Sequence, residues 1–158
     1  QGGSVGIENA SGAFLNLTTN TDQGIMWRAV LEAIGYDYIY VADMYRNAGC
    51  NLDRIVVTEG GSKSSLWNQI KSDMLGSEVV TLENVEGAVL SDAILAAYAV
   101  GDIHDLKKAL LDVVKVKKVY TPNKENTKFY REMFKIQHQI IRNDMKSVFN
   151  QLEKMRSL

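Results

Sequence analysis

A chain of 158 residues with 46% apolar, 23% charged and 8% aromatic content has an ordinary globular composition at the length of one domain. Collagen-like, disulfide-framework and wholly disordered classes are excluded. With 18 basic and 19 acidic residues the net charge is −1, so no global field favours nucleic acid or an anionic membrane surface.

Residues 1–20 are rich in Gly, Ser, Asn and Thr and read as an opening loop. The chain starts at Gln1 in a glycine-rich run without an apolar signal core, which suggests a fragment of something longer. From Thr21 to about Asn47, Met26, Val30, Ala33, Ile34, Val41, Met44 and Tyr45 recur at helical spacing. Thr21 or Asp22 serves as the cap and Gly49 as the stop, with a bend at Gly35. Arg28 and Glu32 are four apart on this helix and form a supporting pair. Cys50 follows; as the only cysteine it permits no internal disulfide, and a reducing cytoplasm suits it.

Ile55, Val56 and Val57 form a β-branched run that suits a strand buried on both faces, hence a parallel sheet. Glu59-Gly60-Gly61-Ser62-Lys63-Ser64-Ser65 then leads into a helix carrying Leu66, Trp67, Ile70 and Met74 on one apolar stripe, closed by Gly76. Trp67 belongs to that stripe, and Asp73, a lone acid late in the helix, reads as solvated. Glu78 to Leu82 is a second strand. Glu86 to Val100 is a helix apolar on most faces and therefore expected to be buried, with Gly101 ending it. Its longest apolar stretch, Ala88 to Val100, is 13 residues and holds Ser91 and Asp92, too short and too polar to span a bilayer.

Asp105 caps a short helix to Leu111, and Lys115 to Tyr120 alternates Lys with Val as a half-exposed extended segment. Glu125 to about Met155 reads as one long amphipathic helix. Its wet face gives this half its positive charge: over 102–158, 13 basic residues outnumber 7 acidic ones. A solvated face, not a nucleic-acid surface, accounts for them. His104 and His138 stand on separate elements with no partner at metal-ligand spacing, so no metal set is expected. Three segments result: the loop over 1–20, an α/β core over 21–122, and the helix over 123–158.

The segment that carries chemistry is Gly60 to Ser65. After a buried strand, paired glycines let the chain turn sharply and a ligand approach the backbone, while the helix start offers free N–H groups and a positive dipole end. A polar or anionic ligand such as a nucleotide suits such a junction. On these grounds alone a tight connection capped by Ser62 or Ser64 is the favoured reading of the loop. There is no G-x-G-x-x-G, and Lys63-Ser64 lacks the glycines of a Walker loop.

TEGGSKSSLWNQIKSDMLG nevertheless resembles the stretch in the C-terminal domain of FGGY-type carbohydrate kinases, xylulokinase-like members above all, that reads strand, G-G-G-A, basic residue, S, then W and Q. SGAFLNLTTNTDQGIMWRAVLEAI, EGAVLSDAILAAYAVG and KVKKVYTPNKENTKFYREMF are similar to three further segments of that family in the same order. The likeness covers about residues 10–135; Glu59 and Ser91 stand where the family commonly has glycine. It implies an α/β half-domain of ribonuclease H-like, actin-like ATPase type, with a short parallel sheet and long flanking helices. It also implies ATP and Mg²⁺ as cofactors and a nucleotide held by Gly60, Gly61, Ser62, Lys63 and Ser64. The catalytic aspartate and most sugar contacts would lie in an N-terminal kinase domain upstream, leaving this part without turnover. Loss of that upstream part would also bare a sheet edge and invite pairing into a homo-oligomer. A non-catalytic α/β binding module on the same scaffold is the alternative.

Overall fold

The computed structural model describes residues 9–58, 60–83 and 87–156. Contacts divide the chain into two compact units, one from the residues up to Cys50 together with those from Lys124 on, the other Asn51–Asn123. These lines differ from the segment boundaries at 20 and 122 expected above.

The first unit is helical. Its α1 spans Gln23–Asn47 and starts where Asp22 Oδ1 accepts the Ile25 N–H at 2.8 Å, the capping geometry that satisfies an otherwise unpaired first-turn donor. The helix runs through Gly35 without interruption and stops before Gly49, whose φ of +86° a side chain would strain. The expected long C-terminal helix is two: α5, Lys124–Gln139, and α6, Lys146–Arg156, separated by a π-type turn over Ile140–Asp144. Leu31, Ile39 and Ala42 of α1, Tyr130 of α5 and Phe149 of α6 are buried. The anticipated Arg28–Glu32 pair forms at 2.8 Å and recruits Tyr130, whose hydroxyl donates to Glu32 Oε1 at 2.7 Å and accepts from Arg28 at 3.1 Å. Further along, Arg131 Nη1 sits 2.8 and 2.7 Å from the two Asp43 oxygens. His138 stacks on Tyr40 with ring centroids 5.8 Å apart.

The second unit is a three-stranded sheet with α2 (Ser65–Leu75), α3 (Gly87–Ala99) and α4 (Leu106–Val113). Its strands β1 (Arg54–Val57), β2 (Glu78–Leu82) and β3 (Val116–Tyr120) lie in the order β1-β2-β3. Strands β1 and β2 are parallel, pairing Ile55 with Val79 and Val56 with Val80, as a strand–helix–strand passage requires. The sheet is mixed, not parallel throughout: β3 runs antiparallel to β2, with a register shift at Thr81/Leu82. The Lys/Val segment is thus an edge strand whose residues up to Val119 are exposed, and its Tyr120 is buried.

Two burial expectations fail. Val56 is 52% exposed because burial alternates along β1, and the face that carries Arg54 and Val56 is left open. In α3 Ile94 is buried, whereas Val89 and Leu95 are 67% and 52% exposed. A three-stranded sheet and one short helix offer an all-round apolar helix too little surface to cover it. The core lies instead under α2 and β2, where Trp67, Ile70, Met74, Leu75, Val79 and Val80 are buried. Leu66, placed above on the apolar stripe of α2, is exposed.

Candidate functional site

Strand β1 ends at Val57 and the chain enters a 3-10 turn over Gly60–Lys63 before α2 begins. Glu59 lies outside the described residues. Ser64 is the N-cap: its Oγ accepts the Trp67 N–H at 3.2 Å, and its carbonyl accepts the Asn68 N–H at 3.0 Å. Of the two serines considered as caps, Ser64 takes the role.

The five loop residues expected to meet a ligand are contiguous but not equivalent. Gly60, Gly61, Lys63 and Ser64 are exposed, whereas Ser62 is buried and its carbonyl accepts from Asn68 Nδ2 at 2.7 Å. The conformational argument for the glycines does not hold. Positive φ among the described glycines occurs at Gly49, Gly76 and Gly101, not at Gly60 or Gly61. A Cβ built on Gly60 meets nothing within 4 Å, and one on Gly61 makes ordinary contacts with Trp67 Nε1 at 3.8 Å and Lys71 Nζ at 3.9 Å. The fold therefore tolerates side chains at both positions, and what the glycines preserve is open space beside the backbone. A close approach within the chain does occur at Gly87, where a Cβ would lie 3.4 Å from Thr58 Cγ2, bringing the start of α3 against the end of β1.

Behind the turn lies a polar cluster that pattern reading did not single out. Asn68 and Lys71 are buried, and Lys71 Nζ donates to Asn68 Oδ1 at 3.2 Å and to Gly61 O at 3.4 Å while sitting 5.0 Å from the centre of the Trp67 ring. Burial holds the Lys71 ammonium below the usual lysine range, an effect that the neighbouring Tyr120 phenol opposes. Tyr120 itself is pulled below the usual phenol value, first by its hydrogen bond to Ser65 Oγ at 3.2 Å. A signal was available: Trp67, Ile70, Lys71 and Met74 occupy i, i+3, i+4 and i+7, so Lys71 stands on the buried stripe itself.

Asp73 also departs from expectation, being buried. Its Oδ1 accepts the Asn123 N–H at 2.9 Å and Gln69 Nε2 at 2.8 Å, so it fastens the segment after β3 to α2. Ser72 adds a second tie, its hydroxyl lying 2.8 and 2.9 Å from the carbonyl oxygens of Ser77 and Tyr120. Ser91 is exposed on α3, and Trp67 is core, as expected. Among the described residues no group of three or more His, Cys, Asp or Glu side chains is set to hold a metal ion, and no helix is long and apolar enough to cross a membrane.

Residues 5–100 match the profile of the FGGY family of carbohydrate kinases, C-terminal domain. A xylulose kinase of Staphylococcus epidermidis is 30% identical over 125 residues, which are 79% of this chain and 25% of that protein. The chain thus spans about a quarter of the length of the curated relatives it matches. Among solved structures, a ligand-bound xylulose kinase from Lactobacillus acidophilus superposes with a TM-score of 0.76 at 26% identity, covering 91% of this chain and 29% of that one. A gluconate kinase from the same organism gives a TM-score of 0.75 at 26% identity over the same shares.

Proposed function

Because the chain belongs to the FGGY family of carbohydrate kinases and has the ribonuclease H-like half-domain fold of the actin-like ATPase superfamily, we propose that it is the nucleotide-binding part of an ATP-dependent sugar kinase. The whole enzyme transfers the γ-phosphoryl group of MgATP to a hydroxyl of a ketopentose, in the manner of the xylulose kinases it is similar to. The observation that carries this reading is the strand–glycine–helix junction, where a Cβ at Gly60 would point into open space. Nothing within the fold asks for glycine there, and a nucleotide lying against the backbone does.

Gly60 and Gly61 would offer peptide nitrogens and clearance, the buried Ser62 its backbone, and the exposed Lys63 side chain a cation for ribose or phosphate, with Ser64 contributing beside its capping role. ATP bound at this turn would supply the phosphoryl group, and Mg²⁺ would offset the charge of its phosphates. Phosphoryl transfer rests on alignment of donor with acceptor and on fixed electrostatics. A chain of a quarter of the relatives' length holds one side of that alignment, so we expect no turnover from it alone. The lone exposed thiol, Cys50, suits a cytoplasmic setting.

The second reading, a binding or interaction module without chemistry, draws on the Ser64 cap, which already occupies one helix-start donor. Titrating MgADP while following backbone amide resonances separates the two. Shifts concentrated at Gly60–Ser65 are expected; a saturating titration that moves none of them would overturn the nucleotide reading in favour of the module.

A further inference from the structure

Lys71 is 5% exposed, and among the described residues no carboxylate lies within 4 Å of its ammonium. Burying such a charge is unfavourable for folding, and its site on the stripe between Trp67 and Met74 would accept an apolar side chain of the same length. Its hydrogen bonds and the Trp67 ring offset that cost only in part. Its surroundings point to another role. The ammonium faces Gly61 O, Asn68 Oδ1 and the Trp67 ring, while Asn68 in turn donates to Ser62 O at 2.7 Å, so two successive carbonyls of the glycine turn are held from behind. Across the packing from β3 the titratable neighbour is the Tyr120 phenol, with Lys118 Nζ 4.6 Å from its ring centre. No described carboxylate there pairs with the cation.

We propose that Lys71 is a positioning residue for the phosphates of the bound nucleotide: paired with Asn68, it fixes the carbonyls of Gly61 and Ser62 against α2 and gives the glycine turn a buried positive charge with no carboxylate partner among the described residues. The carbonyl dipoles that would repel an anion are tied down, and the low-polarity surroundings of the ammonium weaken its field less than water would. This inference rests on the nucleotide reading of the turn.

The test compares the wild-type chain with Lys71→Met, measuring MgADP and adenosine affinities by calorimetry and stability by urea denaturation. The variant is expected to be at least as stable as the wild type, to bind MgADP about tenfold more weakly, the scale of one charge-assisted contact, and to bind adenosine unchanged. A merely structural lysine would lower both affinities together, and that outcome overturns the proposal. Unchanged MgADP affinity overturns it too while leaving the nucleotide reading intact; absence of MgADP binding by the wild type removes both. Lys71→Gln keeps a donor without the charge and is expected to give the same split. Loss of folding in both variants would make Lys71 a residue of the fold and overturn the proposal.

Discussion

At Gly60 the side-chain position is open and the backbone needs no left-handed conformation, so alanine is free to enter. Gly60→Ala is therefore expected to raise stability slightly, by about 0.4–1 kcal/mol through the unfolded chain, while weakening MgADP binding. Urea denaturation and calorimetry on one preparation check both halves, and a loss of stability would show that the turn itself requires glycine. Asp37 in α1 supplies a pH-dependent counterpart. Burial holds its carboxyl above the ordinary range, and the attraction of Arg142 offsets this only in part. The folded state thus prefers the protonated form: the contribution is fully favourable below the unfolded value of about 3.9 and is lost as pH rises through the folded one. Asp37→Asn should melt at a higher temperature than wild type at neutral pH, with the difference shrinking as the medium is acidified. A constant difference across that range would contradict the assignment.

At the level of elements, turns and caps are local contracts between neighbouring residues. Gly76 closes α2 with φ of +63° and its N–H on Ser72 O at 2.9 Å. Gly76→Ala forces a Cβ into that conformation and should cost about 1–2 kcal/mol, visible as a lower urea midpoint with unchanged slope. Because such signals are local, the Asp22 and Asp105 caps and the ends at Gly49, Gly76 and Gly101 are readable from the chain alone. What escapes is set by distant partners. The Val/Lys alternation of β3 says extended and half exposed, yet its antiparallel pairing with β2 depends on residues nearly forty positions away. Asp73 looks like a wet acid until the Asn123 amide, fifty residues on, arrives to be satisfied. The π-type turn at Ile140–Asp144 leaves the amphipathic pattern intact on both sides, so periodicity runs across the break. The glycine junction was legible for the opposite reason: strand, turn and helix follow within about twenty residues. Its Lys71–Asn68 backing, on the stripe assigned to packing, was not.

Across the whole chain, apolar surface and an unpaired strand edge remain in view. Strand β1 has β2 on one side and no strand on the other among the described residues, and Val56 together with Val89 and Leu95 of α3 is exposed. Edges of this kind template pairing with another chain, and broad apolar surface favours association. We expect the average mass measured by light scattering to rise with concentration; a monomer at all concentrations would count against this. The discontinuous make-up of the first unit has a further consequence for biogenesis. Asp43 meets Arg131 across 88 residues of chain, whereas the β1–β2 pairing closes over 24. In synthesis α1 precedes α5, so Asn51–Asn123 can settle while Glu32 and Asp43 still lack the Tyr130 and Arg131 side chains that pair with them. We expect a chain stalled at Asn123 to bind a holding chaperone and one released after α6 not to; equal capture of both by crosslinking would contradict this.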